Sequence, residues 1–205
     1  MTTSPDPEII PLPGFDPLVF WMQHKGKILV YAGILAIVLV SLVAYQIISH
    51  DRLVDSQRLY AQASTEDDYR QIIQKYPHTV VAGNASLMLA EKLRDEKKYD
   101  EAIATALALI DQYPDYPLLD AAWLNQAATL EAAGRTDEAL NKYQQVASKF
   151  ATSYSAPQAL LAEAALLKSK GRLDEAKHIY ENVKSQFPES PFAADAMQQL
   201  QQIRK

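Results

Sequence analysis

The stretch PLLDAAWLNQAATLEAAGRTDEALNKYQQVASKF, residues 117–150, contains the pattern that decides the fold. Apolar residues recur at helical spacing over residues 118–133, and a second apolar stripe covers residues 139–146. Gly134 and Asp137 lie between the two stripes. Because glycine commonly ends a helix and a carboxylate favours a first helical turn, these residues mark a boundary between two helices. The stretch therefore predicts a helical hairpin.

The hairpin recurs along the chain with an offset of 37 residues. The sequence Asp-Glu-Ala begins at positions 100, 137 and 174, and an aromatic residue recurs at positions 76, 113, 150 and 187. Such hairpins cannot bury their apolar faces alone, so they stack on one another. The repeat predicts an all-α solenoid over residues 67–205, with three full helix pairs and a half-repeat at each end.

The central unit resembles a tetratricopeptide repeat in the order and spacing of its motif residues. These residues are Trp123, Ala127, Leu130, Gly134, Asp137, Glu138, Ala139 and Tyr143. The period of 37 exceeds the usual length of about 34. The extra residues follow an aromatic-Pro pair, as in the longer repeats of the outer-membrane assembly lipoprotein of the Bam complex and of the cell-division coordinator of the Tol-Pal system. The resemblance implies a protein-binding solenoid.

Two positions depart from this pattern. Ala151 stands where the aromatic residue is followed by proline in the other units, and Lys97 and Lys98 replace a glycine that would end a helix. We expect weaker helix ends at these places and an unchanged repeat register.

Residues 28–48 form an uncharged apolar run of 21 residues. As a helix this run spans about 31 Å, which matches a hydrocarbon core of roughly 30 Å. A buried core helix would carry a polar stripe, and a cleaved signal peptide would have a shorter apolar region. The run therefore predicts an uncleaved transmembrane helix, which we assign to residues 25–49, in contact with the lipid bilayer.

The segments on either side of the apolar run complete the predicted organisation. Residues 1–24 are rich in proline and are expected to form a disordered tail. The sequence PLPGFDPLVFW within this segment is either a peptide ligand or, more simply, a flexible lead-in. Residues 50–66 are expected to continue the membrane helix as a helical stalk.

Basic residues near the apolar run bear on its orientation. Lys25 and Lys27 lie closer to the run than Arg52 and Arg58 do on the other side. By the positive-inside rule, this arrangement favours a cytoplasmic N-terminus. We expect a single-pass protein of the bacterial inner membrane with its repeat domain in the periplasm. This layout of short N-terminus, single anchor and acidic repeats resembles the ancillary subunit of the SecYEG translocon.

The composition disfavours several classes of function. A net charge of −5 argues against a nucleic-acid-binding protein. The absence of cysteine excludes disulfides, cysteine zinc sites and cysteine nucleophiles. None of the four histidines has another histidine or a cysteine at metal spacing, the pair Asp174 and His178 alone is a poor ligand set, and no glycine-rich phosphate loop is present. We expect no cofactor, no bound metal and no enzymatic activity.

The first helix of each unit is expected to line a concave face that binds protein. By repeat register, this face comprises Asn84, Leu87, Glu91, Arg94, Leu124, Ala128, Glu131, Leu161, Ala165 and Lys168. Its three leucines could hold an amphipathic helix or an extended peptide, or they could pack only within and between units. Some tetratricopeptide proteins clamp a peptide carboxylate with Lys, Arg and Asn. Asn125 is the one candidate member of such a clamp here.

The sequence favours a membrane-anchored adaptor that binds proteins at the bacterial cell envelope. Its expected partners are an envelope complex such as the Sec translocon, or exported clients towards which it acts like a chaperone. The alternative is a self-associating scaffold in cell division or outer-membrane assembly, which would form a homo-oligomer. An enzyme would need a buried, perturbed ionisable pair in the groove.

Overall fold

The computed structural model describes residues 17–203, and the regular structure in this part of the chain is entirely helical. The helices are α1 (Pro17–Gln62), α2 (Glu66–Lys75), α3 (Val80–Asp95), α4 (Tyr99–Gln112), α5 (Leu119–Ala132), α6 (Thr136–Lys149), α7 (Ser155–Ser169), α8 (Leu173–Gln186) and α9 (Pro191–Ile203). Helices α3–α8 form three full pairs, and α2 and α9 lie at the two ends of the array. The predicted all-α solenoid is confirmed.

The chain divides into two compact units within α1, between Leu53 and Val54. In the first unit, α1 is the one described helix long and apolar enough to cross a bilayer, and its most apolar window is not buried. A helix of this kind is compatible with a membrane anchor or a signal sequence. Of the tail predicted for residues 1–24, residues 1–16 lie outside the described residues. The remainder is helical, because Pro17 occupies a first-turn position that needs no N–H donor.

In the second unit, the end of α1 contributes to the core. Leu59 and Tyr60 pack against a cluster that includes Tyr69 and Ile72 of α2, and Ser56 is buried. The rings of Tyr60 and Tyr69 lie 6.4 Å apart between centroids. Part of the segment predicted as a stalk therefore covers the first half-repeat.

The repeat units stack closely on the side of their first helices. Helix α3 contacts α5, α5 contacts α7, and α7 contacts α9, whereas the second helices α4, α6 and α8 make no such contact with one another. Alanines at the register positions of the helix crossings are fully buried: Ala85, Ala122, Ala159, Ala196, Ala102, Ala139 and Ala176. Because a methyl group is the largest side chain that fits, these positions set the spacing between helices.

The first helix of each full pair ends in the same way despite a change of residue. Lys97 has a φ of 60°, close to the 75° of Gly134 and the 77° of Gly171 at the equivalent positions. The next residue's N–H bonds the carbonyl five residues back in all three units, at 2.8 Å from Lys98, 2.9 Å from Arg135 and 3.0 Å from Arg172. This is a Schellman motif. Lysine adopts the conformation of glycine here, and the repeat register is unchanged.

Replacing the aromatic-Pro pair in the central unit leaves the helix end intact. The Phe150 N–H bonds the Val146 carbonyl at 3.0 Å, as the Tyr113 N–H bonds the Leu109 carbonyl at 3.1 Å. Helix α6 therefore ends at the same register position as α4, although Ala151 follows in place of proline.

The left-handed conformation of Lys97 predicts that Lys97→Gly stabilises the array. A non-glycine residue in the left-handed conformation destabilises the fold by about 1–2 kcal/mol. Glycine removes this strain, but its greater freedom in the unfolded chain offsets part of the gain in stability. We expect the free energy of unfolding to rise by about 0.5–1 kcal/mol in urea titrations of the detergent-solubilised chain.

Ala133→Gly is the matched control, because Ala133 caps α5 with an ordinary φ of −76°. This variant should lose stability. Equal effects of the two substitutions would contradict the conformational explanation.

Candidate functional site

The residues predicted for the concave face all lie on the first helices α3, α5 and α7. None of them is buried: Glu131 and Ala165 are exposed, and the others are half-buried. Because α3, α5 and α7 contact one another in succession, these residues occupy neighbouring helices along the array.

The three leucines of the predicted apolar strip pack and remain accessible at the same time. Leu87 lies against a cluster formed by Leu109, Tyr116 and Ala122. Leu124 and Leu161 lie against the larger core of the second and third units. The strip is therefore half core and half surface, and it is divided between two clusters.

At the N-terminal end of this face, Asn84 is already engaged. The Tyr116 hydroxyl donates a hydrogen bond of 2.6 Å to Asn84 Oδ1. The ring of Tyr116 covers Gly83, where an added Cβ would meet ring carbons at 2.7 Å. Burial, with a smaller effect of Tyr60, raises the pKa of Tyr116 to about 12. Register comparison misses Tyr116 because it belongs to the loop that lengthens the repeat.

In the central part of the face, the charged side chains gather around a buried tyrosine. The Tyr143 hydroxyl donates to Glu131 Oε2 at 2.7 Å. Burial first, and then this bond, raise the pKa of Tyr143, while the positive charge of Arg94 from the preceding unit opposes the shift. Arg94 and Glu131, which belong to different repeat units, therefore have opposite effects on the pKa of the Tyr143 hydroxyl.

At the C-terminal end, Lys168 is tied to the last helix. Its ammonium donates to Gln199 Oε1 at 2.9 Å and to Gln202 Oε1 at 3.1 Å. A ligand carboxylate would have to compete with these two amides for Lys168.

Asn125 on α5 differs from its neighbours because its amide has no partner. The residue is 5% exposed, and neither Oδ1 nor Nδ2 makes a hydrogen bond within the described chain. Leaving both a donor and an acceptor unpaired costs about 1–3 kcal/mol each in a buried setting. An adjacent donor and acceptor are the groups that pair with a peptide unit.

Trp123, next to Asn125 in the first helix of the central unit, lies between two lysines. The ammonium groups of Lys142 and Lys149 lie 4.4 Å and 4.3 Å from the centre of its ring. Burial and the charge of Lys149 lower the pKa of Lys142. These cation–π contacts hold α6 against α5.

Two polar residues at the same register position lie beneath the outer grooves of the array. Glu163 on α7 is 5% exposed, and its Oε1 accepts a hydrogen bond of 2.7 Å from Gln144 Nε2. Burial raises the pKa of Glu163, and the bond from Gln144 partly offsets that rise. Gln126 on α5 is also 5% exposed, but its Oε1 has no partner in the described chain.

Nothing in residues 17–203 brings together three or more His, Asp or Glu side chains as a metal site. A cavity of about 440 Å³ lies between α4 and α6 and is lined by Ile103, Gln126, Leu130, Arg135, Asp137, Glu138, Asn141 and Lys142. A smaller one of about 200 Å³ lies among Tyr113, Pro114, Tyr116 and Pro117 at the loop edge.

An array of stacked antiparallel helix pairs with a half-exposed inner face defines a helical-repeat protein. Residues 19–204 match the tetratricopeptide repeat-like domain, and the chain belongs to this family. Such domains typically act as non-enzymatic scaffolds for interactions between proteins. No curated protein sequence matches the chain.

Two solved structures share the fold. Both are of a protein from Podosopora anserina described as a putative kinesin light chain with nearly identical TPR-like repeats, and one of them is a variant with a single substitution. The variant has a TM-score of 0.58 and 16% identity, and the match covers 74% of this chain and 84% of that one. The other has a TM-score of 0.52 and 16% identity, with coverage of 74% and 85%. These likenesses establish the fold alone.

The raised pKa of Glu163 predicts that Glu163→Gln increases the free energy of unfolding by an amount that depends on pH. The folded chain binds this proton more tightly than the unfolded chain does, so the contribution of Glu163 to stability falls as pH rises through the raised pKa. Glutamine keeps a side-chain oxygen for Gln144 and carries no charge. We expect the variant to exceed the parent in unfolding free energy by about 1 kcal/mol near pH 7.

The difference should shrink towards about pH 3, below the ordinary glutamate pKa, where the parent carboxyl is protonated in both states. Thermal unfolding at several pH values measures it. A constant difference across that range would show that charge at Glu163 is not the cause.

Proposed function

We propose that the protein is a single-pass membrane-anchored adaptor that binds other proteins at the bacterial cell envelope. In this proposal α1 anchors the chain in the inner membrane, and the repeat domain extends into the periplasm. The concave face described above receives a partner segment. The partners are an envelope complex such as the Sec translocon, or exported clients near it.

The proposed anchor rests on the uncharged run of residues 28–48 and its exposure. Large apolar side chains along it, such as Ile37 at 68% and Val40 at 69%, are exposed to an extent that water would penalise. Phe20 and Trp21 precede the run and Tyr45 lies near its end, where aromatic residues suit the membrane interface. Lys25 and Lys27 favour a cytoplasmic N-terminus.

The single observation that carries the binding proposal is the unpartnered amide of Asn125. Its donor and acceptor lie on α5, in the middle of the first helices and beside Leu124 and Ala128 of the predicted face. A buried amide without partners is rare in a folded protein and calls for an explanation. Both atoms are covered in the free chain, so the Asn125 side chain turns outwards in the proposed complex and pairs with the backbone of an extended peptide laid along α5.

Anchoring supports the same proposal on energetic grounds. A membrane tether raises the local concentration of the face near a membrane complex, so weak contacts suffice for occupancy. No nucleic-acid partner is proposed, because the acidic balance of the chain opposes binding to phosphate backbones.

The second candidate is a self-associating scaffold in cell division or outer-membrane assembly. It is favoured by the exposed apolar side chains at the ends of the units, including Val80, Leu118 and Tyr154. Sizing the detergent-solubilised chain over a range of concentrations separates the two candidates. A concentration-independent monomer would remove the scaffold.

The proposed topology predicts the outcome of protease treatment. In spheroplasts with an intact inner membrane, added protease should digest the repeat domain and leave a fragment protected by the membrane. A cytoplasmic marker protein controls for lysis. Digestion only after the inner membrane is broken would reverse the orientation, and release of the domain by alkaline carbonate would indicate a cleaved signal sequence instead.

The proposed face predicts position-specific crosslinks in whole membranes. A photocrosslinking residue at Leu124 or Ala165 should form adducts with other proteins, whereas one at Glu181, exposed on α8, should not. Asn125→Leu should weaken the Ala165 adducts about tenfold while raising the unfolding free energy by about 1 kcal/mol, because it removes an unpaired amide. Adducts of equal strength at Glu181, or a less stable Asn125→Leu variant, would contradict the proposal.

A further inference from the structure

The outward faces of the second helices differ sharply when they are compared in register. Helix α4 exposes Ala104, Leu107 and Ala108, with Leu107 at 46% exposure. The same positions are Asn141, Gln144 and Gln145 on α6, and His178, Glu181 and Asn182 on α8. Only α4 of the three presents an apolar stripe at these positions.

This stripe borders the cavity of about 440 Å³ described above. Helices α4 and α6 do not contact each other, and the 440 Å³ cavity opens between them over α5. Ile103 lines the cavity from α4, and Leu107 lies one turn further along the same side of that helix. The cavity and the exposed stripe therefore form one continuous surface, which we call the α4–α6 groove.

A buried side-chain oxygen lies beneath each of the two grooves between second helices. It has a hydrogen-bond donor in the groove between α6 and α8 but none in the α4–α6 groove. In the groove between α6 and α8, Gln144 donates to the buried Glu163 at 2.7 Å. One repeat earlier, Gln126 takes the place of Glu163, and Leu107 takes the place of Gln144. Leucine has no donor, so Gln126 Oε1 has no partner in the described chain, and the Gln126 side chain forms part of the cavity wall.

The charges of α4 indicate which chemistry fits the groove. Helix α4 carries Asp100, Glu101 and Asp111 and no lysine or arginine. The α6 side of the cavity adds Asp137 and Glu138 against Arg135 and Lys142, so the groove as a whole is acidic on balance. An Arg70 nitrogen lies 3.1 Å from a Glu101 carboxylate oxygen. An Arg135 nitrogen lies 3.9 Å from an Asp100 oxygen, and the Asp100 side chain remains fully exposed. A second copy docked through the same face would bring two acidic helices together. A basic partner gains from the same charges.

We infer that the α4–α6 groove binds an amphipathic helix of another protein, with lysine or arginine flanking its apolar face. The small side chains of Ala104 and Ala108 allow the partner helix to approach closely, and Leu107 packs against its apolar face. Gln126 Oε1 is covered in the free chain. In the complex the Gln126 side chain turns its oxygen towards the cavity, and one N–H donor of the partner binds it, in the role that Gln144 has one repeat later. This surface lies on the second helices and is separate from the concave face, so either can fail without the other.

A defined peptide tests the inference with the full chain in detergent micelles. The probe is a fluorescent helical peptide of about five turns, with leucine and alanine on one face, a central glutamine and lysines at both ends. Binding is followed by anisotropy, with empty micelles as the blank. We expect saturable binding that Leu107→Glu weakens about tenfold. A second peptide with glutamates in place of the lysines should bind at least several-fold more weakly.

Two further variants fix the location of the peptide. Leu107→Gln supplies the missing donor from within the chain, so it should weaken peptide binding and raise the thermal midpoint. Met197→Glu is the matched control, because Met197 is an apolar side chain of 42% exposure on α9, and it should leave binding unchanged.

Three results would overturn the inference. The first is equal binding by Leu107→Glu and the parent. The second is loss of binding in Ala165→Glu instead, which would place the peptide in the concave face. The third is a parent chain that dimerises unless Leu107 is replaced, which would make a second copy the occupant.

Discussion

The close crossing of neighbouring helices at fully buried alanines is the constraint on which the repeat array depends. Ala85, Ala122, Ala159 and Ala196 recur at an offset of 37 residues along the first helices, and Ala102, Ala139 and Ala176 do the same along the second. A larger side chain at any of them would push two backbones apart, at a cost of about 1–3 kcal/mol. Because each hairpin shares its apolar surface with the next, a displacement at one crossing is transmitted to the adjoining units.

The same stacking separates the two surfaces of the array. The first helices touch in succession, which keeps most of their outward side chains half-buried. The charge of Arg94 in one unit acts on Tyr143 of the next unit, whose hydroxyl donates to Glu131. The second helices do not touch, which leaves grooves between them. One groove is closed by Gln144 over Glu163, and the other is open above Gln126. Unpaired polar atoms therefore occur on both sides of α5, at Asn125 and at Gln126.

These unpaired atoms connect stability with binding. A buried amide without a partner reduces stability, and natural sequences retain such costs mainly where another molecule supplies the missing group. Helix α5 carries three residues with such atoms, Trp123, Asn125 and Gln126, while α3 and α7 pair or expose theirs. The central unit is therefore the part of the domain where added hydrogen bonds would increase stability most. The N-terminal part of α1, up to Leu53, belongs to a separate unit and exposes large apolar side chains along its length.

The sequence by itself determined the helical hairpin, its period, the number of full pairs and the position of the long apolar segment, because these follow from the spacing of apolar residues along one chain. It also predicted which helices line the inner face. Only the tertiary structure decided what each inner residue contacts: that Tyr116 engages Asn84, that Lys168 is tied to α9, and that Lys97 adopts a glycine conformation. It likewise decided that Gln126 lacks the donor that Glu163 has. Those outcomes depend on distances between different repeat units, which register alone does not contain, because loops and side-chain lengths vary from unit to unit while the period stays constant.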